Sequence, residues 1–421
     1  MATTARGGAE EAGRTAITLL PDPEPRAIVA PVISVDDHLI EPPDLFDGRM
    51  PARLSDRAPR VIDTPGGDQV WIYEDRTYPN VGLNAVVGRP RESWSMDPAR
   101  FDEMRPGCFD IEARVRDMDL NGVWASVCFP SLVAGFCGAV FSKSHDLELG
   151  LACVRAWNDW HAEVWAGTHP ERIVPLQLPW LDDVELAAEE VRRNADRGFK
   201  ALSFPEFPAQ LGFPSIFSGH WDTLFAACAE TRTVVCLHTG ASSWAPLPSP
   251  DPPFELLPTL FPVNGLVAAA EWLWSGVALR FPELRVAFSE GGIGWVPMLL
   301  DRVDYVLHHS ASGTESTAWP SDLLPSEVAR RNFWFCTIDD PSVLALRERI
   351  GVDHIMVESD YPHADSTWPD TQQVMAKAMT GLPEDEMRRM AGGNAAHLFR
   401  HPLPAEDDWR PPDRRPVATA A

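Results

Sequence analysis

The chain has 421 residues, 45% of them hydrophobic, with 36 Lys and Arg against 61 Asp and Glu, a formal net charge of −25. That length holds either two ordinary domains or one large α/β barrel of ~250 residues plus insertions. With no basic cluster to relieve the negative charge, nucleic acid and anionic membranes are excluded as expected partners.

The opening "MATTARGGAEEAGRTAITLLPDPEPR" carries acids where a secretory leader needs an apolar core, so residues 1–29 read as a disordered tail of a soluble, cytoplasmic protein. Eight short apolar, often β-branched runs then follow: "PVISV" (31–35), "VWASVCF" (123–129), "RIVPLQL" (172–178), "FKALSF" (199–204), "TVVCL" (233–237), "LRVAF" (284–288), "NFWFC" (332–336) and "HIMVE" (354–358). Helix-like segments separate them, such as 184–198, where Leu186 and Val191 share a face opposite Glu189, Arg192 and Arg193. Strands alternating with helices imply parallel pairing, and eight such units predict an α/β fold, a (β/α)8 TIM barrel over residues 30–402.

Three stretches fall outside this rhythm. Residues 42–110 form a long insertion after the first strand, the place for a lid or a subunit contact. A Pro-rich stretch, 242–262, follows the fifth strand, and residues 403–421 read as a C-terminal tail. The apolar run 263–281 is interrupted by Asn264 and Glu271 and reads as a buried helix, not a membrane span. The seven cysteines are scattered with no C-x-x-C spacing and read as reduced, buried thiols. No G-x-G-x-x-G follows the first strand, which argues against a dinucleotide fold.

In such a barrel the chemistry sits at the C-terminal ends of the strands. Those ends carry Asp36 and His38, Glu206, His238, Glu290 and Asp360, with His363 three residues further on. Acids gathered at one mouth raise one another's pKa unless a cation compensates them, so these six side chains read as a metal site. Asp36 and His38 are two apart and share one side of their strand, whereas Asp37 points away and reads as structural. Each position also has an ordinary reading. Glu290 could cap the following helix, and Glu206 could belong to its Pro-flanked turn. His363 reads as a substrate-facing or supporting group more than as a ligand, and Asp360, Glu290 and His363 are the expected catalytic residues.

The runs "ISVDDHLIEPPDLF", "CLHTG", "SEGGIGWVP", "ESDYPHADSTWP" and "GGNAAHLF" together resemble the amidohydrolase-related (amidohydrolase 2) branch of the amidohydrolase superfamily, over about residues 31–400. The resemblance implies one or two metals at the strand ends, in enzymes familiar as zinc or manganese decarboxylases of aromatic or muconate-type acids, and as hydrolases. It carries the ligand roles onto Asp36, His38, His238, Glu290 and Asp360. Two departures stand out, because Asp36 and Glu290 replace histidines of those decarboxylases and no lysine ends the fourth strand. The resulting set of four carboxylates and two histidines resembles the less familiar dinuclear non-haem iron oxygenases of this branch. The expected function is therefore a di-iron monooxygenase, with two iron ions per chain, acting on a carboxylic acid or its thioester. It would use O2 and an external electron donor. A zinc- or manganese-dependent hydrolase or non-oxidative decarboxylase of a small organic acid is the alternative, and a catalytically silent subunit a third.

The substrate is expected to be a small molecule and the chain a homo-oligomer. Trp94, Met104, Phe136, Trp244 and Trp295 are candidates for an apolar pocket wall, and Arg89, Arg91 and Arg105 for an acid or coenzyme A phosphate contact.

Overall fold

The structure is a computed structural model and describes residues 17–95, 98–309 and 319–405. All eight predicted runs are strands of one parallel sheet: β1 (Val32–His38), β5 (Val123–Phe129), β6 (Ile173–Val174) with β7 (Leu176–Gln177), β8 (Ala201–Phe204), β9 (Val234–His238), β10 (Val286–Ser289), β11 (Phe333–Thr337) and β12 (Ile355–Val357). The hydrogen-bonded order is β6-β5-β1-β12-β11-β10-β9-β8-β7. Because β6 and β7 are halves of one run interrupted by Pro175, the two ends of that order meet and the sheet closes into a (β/α)8 barrel. Every residue of β1, β8, β9, β10, β11 and β12 is buried, as expected of parallel strands covered on both faces.

Local signals set the helices around this ring. Asp110, Asp146 and Asp183 each accept hydrogen bonds from first-turn backbone N–H groups of the helices Ile111–Asn121, Leu147–Trp160 and Val184–Asp196. The first ends at Gly122, whose φ is 71° and where a Cβ would lie 2.6 Å from Gln372 Cγ, so only glycine makes the turn into β5. The apolar run 263–281 forms two helices, Phe261–Trp274 and Val277–Arg280, parted at Gly276. Among the described residues no helix is long and apolar enough to cross a membrane.

The insertion 42–110 contains a three-stranded antiparallel sheet, β2 (Arg60–Asp63), β3 (Gln69–Tyr73) and β4 (Arg76–Tyr78). Its later part reaches the barrel mouth, where the backbone N–H groups of Val86 and Val87 donate to Pro362 O at 3.0 and 3.2 Å. Residues 17–29, expected to be tail, are tied down: Leu20 N donates to Gly88 O at 2.7 Å and Arg26 Nε to Asp370 at 2.7 Å. The rest of that tail, 1–16, and residues 406–421 of the C-terminal one lie outside the described residues. All seven cysteines are buried and unbridged.

Candidate metal centre

Asp36 and His38 come from β1 at an irregularity in its pairing. Ser34 faces Ser126 and Asp37 faces Cys128, so three residues of β1 advance against two of β5. A bulge of this kind re-aims side chains at a strand end. Asp37 then turns to the scaffold, accepting from Ser34 Oγ at 2.9 Å, from Tyr361 N at 3.1 Å and from Ser126 Oγ. Asp360 N donates to Asp36 O at 2.8 Å, which stitches the segment after β12 to β1.

Four donor groups converge there. His38 Nε2 lies 3.0 Å from His238 Nε2, 3.3 Å from Asp360 Oδ1 and 3.6 Å from Asp36 Oδ1, and His238 Nε2 lies 3.4 Å from Asp36 Oδ1. His238 Nδ1 donates to Thr239 O at 2.8 Å, leaving Nε2 with its lone pair. Among the described residues neither oxygen of Asp36 nor Nδ1 of His38 has a hydrogen-bond partner, although both side chains are buried. Unpaired buried carboxylate oxygens are costly unless a cation meets them. Two ligands each about 2.1 Å from one ion and at right angles to it sit ~3.0 Å apart, which is the observed spacing of the two Nε2 atoms. The residues present therefore fit a divalent ion.

The electrostatics agree. Burial, then the neighbouring Glu358 and Asp360, pushes Asp36 well above the usual carboxylate range. Burial and the adjacent His363 and His238 hold the His38 imidazole well below its ordinary value, and burial brings His238 down to about 4. Both rings are thus neutral, the form that binds metal. Burial alone would raise Asp360, but the histidines beside it win and hold it below its ordinary value. His363 Nδ1 lies 3.0 Å from Asp360 Oδ1, and its ring centroid 4.0 Å from that of His38. Burial pulls His363 down, yet the Asp360 charge and hydrogen bond leave it raised.

Glu290 follows β10 with φ 59°, its N–H donating to Glu358 Oε2 at 3.1 Å and its Oε2 lying 3.5 Å from His238 Nδ1. Glu290, Asp360 and Asp365 form a second cluster with metal-ligand spacing, and Asp36, Cys336 and Glu358 a third. Glu358 is pushed up to about 8, chiefly by burial. Sequence reasoning passed over Cys336, Glu358 and Asp365. Glu358 precedes Asp360 by two residues, the same spacing that marks Asp36 and His38, and could have been found that way.

Glu206 does not join the cluster. Its Oε1 accepts from Gly240 N at 2.8 Å, and its Oε2 from Ser242 N at 2.9 Å and Ser242 Oγ at 2.7 Å. Burial pushes its carboxyl up to about 7 against those three donors. It pins the loop that carries His238.

Above the centre opens a cavity of about 460 Å3, to which His238, Glu290, His363 and Asp365 contribute. Phe136 and Trp244 are in its wall, as expected. Trp94 and Met104 lie elsewhere in the insertion, and Trp295 is buried with Nε1 donating to Gly291 O at 2.9 Å. The three arginines do not line the cavity. Arg89 donates to Glu103 O at 2.8 Å, Arg105 binds Asp117 and Asp22, and Arg91 lies over the Trp94 ring.

Comparison with known proteins separates the two expected chemistries. The chain is 23% identical over 311 residues, 72% of its length and 80% of the relative's, to the 2-amino-3-carboxymuconate-6-semialdehyde decarboxylase of Dictyostelium discoideum. Its fold matches an amidohydrolase of Mycobacterium avium subsp. paratuberculosis K-10 with a TM-score of 0.68 at 24% identity, covering 89% of this chain and 100% of that one. It also matches a dihydroxybenzoic acid decarboxylase of Polaromonas sp. JS666, solved with bound manganese and 2-nitroresorcinol, with a TM-score of 0.60 at 19% identity over 88% and 97% of the two chains. Two of these three relatives correct the expected di-iron monooxygenase, and with it the call for iron, O2 and an electron donor: they are decarboxylases, one solved with bound manganese, and they agree with the alternative. The physical reason is that the di-iron inventory counted Glu206 as a bridging ligand, whereas both its oxygens are taken by loop donors. Residues 60–401, more than three-quarters of the chain, match the family described as Amidohydrolase, and the chain belongs to that family, Amidohydro_2.

Proposed function

We propose that the chain is a metal-dependent decarboxylase that releases CO2 from an organic acid without oxygen. Asp36, His38, His238 and Asp360 would hold a divalent ion, manganese or zinc. The observation that carries this reading is the convergence of two neutral Nε2 atoms and the unpaired Asp36 carboxylate, with His238 of that group also lining the cavity. The decarboxylase relatives support it.

A bound divalent ion supplies positive charge that orients a substrate oxygen and stabilises the charge left as CO2 departs. Breaking that bond leaves an electron pair on carbon, so a proton has to be delivered there. Glu290 lines the cavity, and burial together with Asp360 and Asp365 pushes its carboxyl well above the ordinary range. That shift favours the protonated carboxyl, which is placed to give its proton to that carbon. His363 holds its proton at Nδ1 against Asp360 Oδ1 and fixes the orientation of that carboxylate. The wall residues Phe136 and Trp244 keep bulk water from the reacting carbon.

The test is CO2 release from arenecarboxylic and muconate-type acids under argon, by protein stripped with chelator and reloaded with Mn2+ or Zn2+. Release that needs the metal and is equal in argon and air is expected. Reloaded protein that binds metal but frees no CO2 from any of these acids overturns the reading. Glu290→Gln is expected to lower kcat about 100-fold with KM little changed, because the proton is needed after the acid is bound.

A further inference from the structure

The cavity has one chemically active end and one inert end. At one end stand His238, Glu290 and His363, with the exposed Asp365 beside them. Beyond them the wall is built from Trp244, Phe254, Leu257, Phe261 and Leu83, with prolines between. Among the described residues no lysine or arginine lines any part of it. The polar groups that interrupt the wall, Asn84, Ser243 and Asn264, are neutral. They can pair with a hydroxyl or carbonyl but cannot neutralise an anion, and an anion buried without a counter-charge is strongly disfavoured. A cavity of about 150 Å3 is enough for benzene; this one is about 460 Å3.

From these features we infer the substrate class: an acid with a single carboxylate at one end of a hydrophobic body of two or more rings' size. Diacids and phosphorylated or coenzyme A-linked acids are excluded. The inference rests on the decarboxylase reading only for placing the carboxylate at the metal floor. The carboxylate meets the ion held by Asp36, His38, His238 and Asp360. The body fills the space between Leu83 and the Trp244–Phe261 wall. Phe254, 59% exposed, forms the outer rim, beyond the apolar wall that encloses the body.

Calorimetric binding to the Mn2+-reloaded, full-length chain tests this with three probes: benzoic acid, biphenyl-4-carboxylic acid and biphenyl-4,4'-dicarboxylic acid. The biphenyl monoacid is expected to bind at least tenfold more tightly than either of the others. In Leu257→Arg the order of monoacid and diacid is expected to reverse, because it places a cation within the apolar wall where the second carboxylate arrives. Equal or tighter binding of the diacid by the unmodified chain, or of benzoate relative to the biphenyl acid, overturns the inference. CO2 assays run alongside keep the two readings apart. If the binding order holds while no acid loses CO2, the decarboxylase reading fails and the cavity assignment stands. If diacids or single-ring acids are the ones decarboxylated, the cavity assignment fails and the reaction stands.

Discussion

Glu290 and Asp360 leave their strands with φ of 59° and 53°, in the left-handed region where an L side chain costs about 1–2 kcal/mol. Strain of this kind at two of the site's carboxylates marks positions kept for chemistry at the expense of stability. Glu290→Gly is accordingly expected to raise the melting temperature of the metal-free protein while abolishing CO2 release, a pair of changes visible by calorimetry and a turnover assay. The roles of His238 and Glu206 separate in the same way. His238→Ala should cut bound metal to under a tenth by plasma mass spectrometry. Glu206→Ala should keep its metal and instead lose roughly 2–4 kcal/mol in denaturant unfolding, since it strands the Gly240 and Ser242 donors. An unchanged stability with lost metal would make Glu206 a ligand after all. In the sequence Glu206 and His238 look alike, each a polar residue just past a buried strand. Only the folded chain shows that one faces a neighbouring imidazole and the other the amides of the loop after His238. Asp36, His38, His238 and Asp360 were legible because strand-end position alone aims them at the mouth.

At the scale of elements, the strands were read nearly to the residue because buried parallel strands leave unbroken apolar runs. The helix expected at 184–198 spans Val184–Asp196. The sheet of β2, β3 and β4 went unread. Its strands are short, β2 and β4 are largely exposed, and while Gly66 and Gly67 mark the first turn, the second is made by Glu74, at φ 51°, with no glycine to announce it. The bulge in β1 was equally silent, since an extra residue leaves no trace in an apolar pattern. The helix Leu147–Trp160 continues through His161, whose ring stacks on Trp157 at 5.0 Å and whose Nε2 accepts from Leu176 N at 3.3 Å, fastening this helix to β7. Burial holds that imidazole down to about 3. Its contribution to stability is complete above the ordinary value near 6.5 and is lost as pH falls towards 3, because the unfolded chain then takes up a proton the folded one refuses. Against His161→Gln, the native protein should lose up to about 1.4 kcal/mol per pH unit across that window. Parallel pH profiles for the two proteins would refute the assignment.

For the whole molecule, family and barrel were legible and the reaction was not. The motifs that carry the resemblance fix the scaffold and bring the proposed donors to one mouth, but the choice between oxygenation and decarboxylation hangs on how carboxylates are spent, which depends on hydrogen bonds between distant segments. An ion that binds only the folded chain stabilises it by mass action, by about 4 kcal/mol at a thousandfold excess over Kd. Chelation should therefore lower the melting temperature, and Mn2+ should restore it without any change in helix content by circular dichroism.

The putting together of the cavity has a consequence for descent. The four proposed donors come from three separate places around the ring, β1, β9 and the segment after β12, whereas much of the apolar wall comes from one uninterrupted stretch, residues 243–264. Heredity can thus alter the two independently. Insertion, deletion or exchange within that single stretch gives the lineage a new diet while the reaction itself is passed on intact.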